Sequence, residues 1–166
     1  MVRTQGPYGV SGSGVMWDDN HHDNLKKITV SYSALGINLV QFEYLDGTET
    51  VKGEAHGNFD FAATSIATEL AYLAEGEVVT FVTAYTGYAV RKLEFRTNVR
   101  IIKMGVDSKV YAEEEAIPFG PFEGDVPIKV VGFHGESGDQ FLHKFGVHWA
   151  PIQAVGVGGR VNYLRN

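Results

Sequence analysis

Apolar and polar residues alternate with period two over much of this chain, which restricts it to strands with one buried face. In ITVSYS, residues 28–33, Ile28, Val30 and Tyr32 fall on one side, and Thr29, Ser31 and Ser33 on the other. In LVQFEYLDG, residues 39–47, Val40, Phe42 and Tyr44 share a face opposed by Gln41 and Glu43. VVTFVTAY (78–85) and VRKLEFRTN (90–98) continue the pattern, the latter with Leu93 and Phe95 facing inward and Glu94 and Arg96 outward. IKVVGF (128–133) and QFLHKFGVHW (140–149) are two further candidate strands. Within the last, Phe145 and Trp149 read as core and Val147 as the opposite face, while His134 and His148, both inside strand-like runs, read as structural. Asp46-Gly47 is a hairpin turn signal. Turn signals recur about every ten residues, the spacing of an all-β sandwich or barrel-like fold.

One segment disagrees. AATSIATELAYLAEG, residues 62–76, carries Ala63, Ile66, Ala67 and Leu70 at helical spacing, and its Ala, Glu and Leu favour helix. A faint internal repeat is present as well. Gly36 and Gly76 each open a strand-like run, Gly47 and Gly87 each close one, and both pairs are 40 residues apart. Such an echo is what a duplicated or triplicated β unit leaves in a sequence. EEEAIPF (113–119) reads as a charged, exposed connection, and the glycine-rich tail after Pro151 as an extension or the start of a linker.

The balance of charge narrows the partners. With a formal net charge of −6 and scattered basic residues, the chain has no basic face for phosphates or anionic lipid, so neither nucleic acid nor membrane is an expected partner. There are 0 cysteines, which excludes disulfides, thiolate catalysis and cysteine zinc sites. The N-terminus lacks the apolar region of a secretory signal, and no apolar run approaches the ~18 residues of a membrane span, so a soluble, cytoplasmic protein is expected.

GFHGESGDQFLHKFGVHW, residues 132–149, gathers His134, Ser137, Asp139, His143 and His148, letters shared by a hydrolase triad, a metal site and a ligand-binding loop. The triad fits poorly. In Gly135-Glu136-Ser137-Gly138 the second glycine falls one place too early for G-x-S-x-G, and an all-β chain lacks the strand–turn–helix context of that elbow. No catalytic residue is therefore assigned. WDDNHHDN, residues 17–24, clusters acids and histidines, but adjacent residues point apart on extended chain, and neither H-E-x-x-H nor an EF-hand loop is present. It reads as a solvated polar turn, and no metal or other cofactor is expected. GPYGVSGSG, residues 6–14, matches neither a P-loop nor G-x-G-x-x-G, yet its glycines allow close approach to backbone N–H groups, which suits a neutral polyhydroxyl ligand.

These segments, in this order, resemble a known family. GPYGVSGSG and WDD precede His56-Gly57, AYTG (84–87) and KLEFRTN (92–98), and then come IPF (117–119), VVGFHGESG (130–138) and LHKFGVHW (142–149). The set resembles the jacalin-related lectins of plants, in the mannose-binding-type variant, and is similar to their crucifer, myrosinase-binding-like branch. The resemblance implies an all-β, β-prism I fold of three four-stranded Greek-key sheets with pseudo-threefold symmetry. It assigns residues 1–152 to the lectin domain and 153–166 to a C-terminal extension or linker, and it makes TELAY (68–72) a strand against its local helix propensity.

By the same resemblance a neutral sugar is held at one end of the prism, between an N-terminal glycine loop and a C-terminal G-x-x-x-D loop whose aspartate accepts from two hydroxyls. The matching positions are Gly12, Ser13 and Gly14, together with Gly138, Asp139, Gln140, Phe141 and His143, with Tyr88 as a stacking ring on a third wall. Here the sequence departs from the pattern. Counting back from Gly146, His143 occupies the aspartate position, and the loop is one residue longer. Two functions follow. One is a mannose- or glucose-type lectin whose partners are glycans or glycoproteins. The other is a domain with an altered sugar site that binds a protein in plant defence, a plant β-glucosidase being the candidate, with homodimerisation through exposed sheet edges as an associated possibility.

Overall fold

A computed structural model describes residues 2–10, 12, 14–58, 67–106, 114–120 and 127–152, and the backbone of 155–157 and 160–162. Two strands open the chain, β1 (Arg3–Gly9) and β2 (Val15–Asp18). A second group follows: β3 (Asn24–Ser33), β4 (Gly36–Asp46), β5 (Glu49–Lys52), β6 (His56–Gly57) and β7 (Ala67–Tyr72). A third holds β8 (Val79–Thr86), β9 (Val90–Thr97), β10 (Ile101–Gly105) and β11 (Glu115–Phe119). The chain then returns with β12 (Ile128–Ser137) and β13 (Leu142–Pro151), and β14 (Val155–Val157) pairs with β15 (Arg160–Asn162).

The three groups form three antiparallel sheets. The first has the order β1-β13-β12-β2 and so joins the two ends of the sequence. The second runs β5-β4-β3-β7, with β6 also on β4, and the third β10-β9-β8-β11. Each buries one face against the other two, which is the β-prism implied by the resemblance.

The core lies where the three inner faces meet. Ile28, Val30, Val40, Phe42 and Tyr44 are buried there, as are Leu93 and Phe95, on the faces that the alternation assigns. Phe42 stacks on Phe133 at 4.1 Å, Phe133 meets Phe145 at 5.2 Å, and the edge of Phe95 meets Phe133 at 5.9 Å, so one aromatic cluster ties all three sheets. Trp149 is fully buried, and its indole N–H donates to Gln5 Oε1 at 2.8 Å.

Several expectations change. Val147 is buried in the same cluster as Phe145 and Trp149, because residues two apart on a strand share a face. Residues 67–72 are strand: β3 supplies their backbone partners, and Glu69 accepts from the N–H of Gly105 at 3.0 Å, so tertiary pairing overrides the helix propensity. The helix-prone Ala63 and Ile66 lie outside the described residues. The charged connection expected at 113–119 is instead the edge strand β11 from Glu115 onward. It ends in buried Phe119, and the preceding Glu114 carboxylate pairs with buried Arg91 at 2.7 Å.

WDDNHHDN is not a solvated turn either. Asp19 accepts from Tyr44 Oη at 2.7 Å and stands 2.6 Å from His56 Nε2, while His22 stacks on Tyr44 at 4.3 Å. Its polar letters are spent on a knot between the first two sheets. No group of three metal-ligating side chains is found among the described residues.

Candidate ligand-binding site

The alternating antiparallel strands bring several loops to one end of the prism. The turns after β3 (Ala34–Leu35), after β8 (Gly87–Ala89) and after β12 (138–141) meet there, together with the glycine segment before β2. Their contacts are specific. Tyr88 donates its hydroxyl to the carbonyl of Leu35, and its ring meets the edge of Phe141 at 5.7 Å. Asn38 Nδ2 donates to the carbonyl of Gln140 at 2.7 Å, and Asn58 Nδ2 to that of Asp139 at 3.3 Å. The N–H of Gly138 donates to the carbonyl of Phe141 at 2.9 Å and closes the loop on itself.

Glycine is needed at two of these positions. A Cβ on Gly138 would run into the imidazole of His143, and one on Gly14 would stand 2.8 Å from the carbonyl oxygen of Ser137 and 2.9 Å from Glu136 Cγ. Gly12 lies against the same imidazole, its Cβ position 3.0 Å from Nδ1. Gly12, Gly14, Gly138 and His143 are therefore gathered at one place, as the resemblance implies. Ser13 lies outside the described residues. Asp139 and Gln140 are exposed at the loop tip, whereas Phe141 turns inward beneath Gly36 and beside Tyr88, supporting the loop from below. Tyr88 is 43% exposed with its hydroxyl already bonded, so its ring is the part offered to solvent.

One residue of this site escapes sequence reasoning. Glu136 points its carboxylate under the glycine segment, where it is only 8% exposed and Oε1 stands 3.5 Å from His143 Nδ1. Neither atom has a hydrogen-bond partner among the described residues. Lys144 Nζ is 3.8 Å from the other carboxylate oxygen. In the sequence Glu136 is merely a charged residue between Gly135 and Ser137. The register pairs Glu136 with Lys144 and Met16, and the irregularity between Glu136 and Ser137, which leaves His143 outside the β12–β13 register, is where the imidazole comes near it. The end therefore combines a buried carboxylate, an imidazole and close-approach glycines with no unbalanced cluster of charge.

His134 and His148 lie below, in the first sheet. Their rings stack at 4.6 Å; His134 Nε2 is 3.0 Å from the carbonyl of Gln5, and His148 bridges Thr4 Oγ1 and Asp18 Oδ1, both at 2.8 Å. Burial, then the neighbouring His148, pushes the His134 pKa below its ordinary value. Burial would raise Asp18, but its bonds to His148 and the N–H of Asn20 outweigh that and hold it low. Both histidines pin β1 and β2 onto β12 and β13, as their structural reading expects.

A three-sheet prism of antiparallel strands with several loops gathered at one end is the architecture of a β-prism lectin. The chain belongs to the jacalin-like lectin domain family, whose model matches residues 5–148. It is 42% identical to jacalin-related lectin 39 of Arabidopsis thaliana over 105 residues, 58% of this chain and 88% of that protein. It is 32% identical to myrosinase-binding protein 1 of the same plant over 155 residues, which is 84% of this chain but 29% of that protein. Among solved structures, artocarpin in complex with mannotriose superposes with a TM-score of 0.74 at 26% identity, covering 90% of this chain and 97% of that one. A mannose-binding lectin from Champedak gives 0.73 at 28% identity, covering 90% and 97%. These relatives are lectins and binding proteins rather than enzymes.

Proposed function

We propose that this chain binds mannose- or glucose-type glycans at the loop-built end, between residues 12–14 and 138–143 with Tyr88 as a side wall. The observation that carries this reading is the convergence of Gly12 and Gly138 on His143, with Gly14 against the Glu136 carboxylate buried behind it. A neutral sugar offers no charge, so its recognition depends on fixed donors and acceptors and on a ring that covers an apolar sugar face. The glycines open the backbone to close approach, Tyr88 supplies the ring, and the exposed carboxylate of Asp139 is an acceptor for adjacent hydroxyls. The His143 imidazole adds a further polar group at this end, 3.5 Å from the Glu136 carboxylate.

A glycan array with the folded chain tests this. Saturable binding to mannose- or glucose-terminated glycans, competed by methyl mannoside and lost in Asp139→Ala, supports it. A blank array from folded protein rejects it.

The replacement of the family's aspartate by His143 favours a second reading, in which this end is reshaped for a protein partner in plant defence. The similarity to a myrosinase-binding protein makes a plant β-glucosidase the first candidate. Capture of a deglycosylated β-glucosidase would favour that reading, because no glycan is then left to bind.

A further inference from the structure

A groove of about 580 Å³ runs down the seam between the first and second sheets, between β2 and the segment 51–57. Its wall is an ordered stack. The Trp17 indole lies parallel to the His56 imidazole at 3.9 Å, and its N–H donates to Ser137 Oγ at 3.1 Å. His56 is 9% exposed, and its Nε2 is held by Asp19, which also accepts from Tyr44.

The hydrogen-bond inventory leaves two groups for a ligand. A carboxylate only accepts, so His56 Nε2 donates its hydrogen to Asp19, which leaves Nδ1 as the ring's other polar atom. No described residue bonds to Nδ1. Ser137 Oγ accepts from Trp17 and keeps its own hydrogen to donate. Both groups are rigidly held. Beside them stand the exposed apolar side chains of Val15 and Met16. Two fixed polar groups beside apolar surface suit a polyhydroxyl chain, whose hydroxyls both donate and accept.

The groove is continuous with the loop-built end. Ser137 places its hydroxyl in the groove while its carbonyl abuts Gly14, and Gly57 leads to Asn58, which holds the carbonyl of Asp139. We propose that the seam groove is a second subsite that takes the following sugar residues of an oligosaccharide whose terminal sugar sits between Gly12, Gly14 and residues 138–143. This rests on the reading of that end as a sugar site.

Calorimetric titration of the chain with methyl mannoside and with mannotriose tests it. The wild type binds mannotriose about tenfold more tightly, the gain from one or two added hydrogen bonds with their packing. His56→Gln keeps an amide donor for Asp19 but removes the ring stacked on Trp17 and the polar atom at the Nδ1 position, so it erases most of that gain and leaves methyl mannoside binding unchanged. Ala55→Trp fills the groove from an exposed position outside the Asp19 network and does the same. Equal wild-type affinity for the two sugars, or an equal loss for both in the variants, overturns the subsite and leaves the loop site standing. Failure of the folded wild type to bind either sugar overturns both.

Discussion

At the scale of single residues, the pairing of Glu136 with His143 makes the departure from the family pattern intelligible. An aspartate in place of His143 would bring a second carboxylate to within a few ångströms of Glu136, and two carboxylates sharing a site cannot both ionise freely. His143→Asp alone is therefore expected to lower methyl mannoside affinity. His143→Asp combined with Glu136→Gln removes the like charge, and calorimetry should show the double variant binding about tenfold more tightly than His143→Asp alone. Additive single effects would show that the two side chains do not interact. This pair was not legible in the sequence: Glu136 sits in a strand-like run where only register decides what it faces. Gly12, Gly14 and Gly138 were legible, because a glycine loop restricts what it can be.

The stacked His134 and His148 also give a residue-scale prediction. The depressed pKa of His134 means that the unfolded chain binds its proton more readily than the folded one. Its contribution to stability is complete above the ordinary value of 6.5 and is lost as pH falls from there through the lowered folded value. Asp18, also lowered, continues the loss in the same direction at more acid pH, below 3.8. Thermal unfolding followed between pH 7.5 and pH 5 (about the range over which an ordinary histidine titrates) should show a falling Tm, and His134→Gln should flatten that slope. An unchanged slope would remove His134 from the acid response.

At the scale of elements, the turn that carries Tyr88 depends on what lies behind it. Arg91 is fully buried, donates to Glu114 at 2.7 Å and reaches toward the carbonyl of Ala34 at 3.5 Å, so it links β9, the approach to β11 and the turn after β3. Glu114→Ala removes the 2.7 Å ion pair to that guanidinium and should cost about 3 kcal/mol in urea unfolding. A cost within about 0.5 kcal/mol, the range of an ordinary surface change, would mean that other contacts hold the guanidinium. Elements were legible in proportion to how far local pattern and tertiary pairing agree. β3, β4, β8 and β9 follow the alternation. β7 does not: its alanines and leucine favour helix, and only the open edge of β3 and the reach of Glu69 to Gly105 make it a strand. β11 was obscured by its acidic start.

At the scale of the whole molecule, one aromatic cluster joins three sheets whose strands come from distant parts of the sequence. Phe133 touches Phe42 from the second sheet and Phe95 from the third. Phe133→Ala should therefore cost about 3–5 kcal/mol while unfolding stays a single transition. Two separated transitions would show that the sheets unfold independently. The threefold plan is the matching strand order β5-β4-β3-β7 and β10-β9-β8-β11, and the 40-residue echo of glycines does not trace it: Gly47 follows β4, whereas Gly87 follows β8, the counterpart of β3. The seam groove left no trace in the sequence either, because it is lined by β2 and the 51–57 segment, which become neighbours only when the prism closes.

The central claim, that the loop-built end is the sugar site, is tested most directly by amide chemical-shift mapping of the folded chain titrated with methyl mannoside. The account predicts saturable shifts concentrated at Gly12, Gly14, Gly138, Asp139 and His143, with Tyr88 following. Shifts centred elsewhere on the prism, or no shifts at saturating sugar, would contradict it.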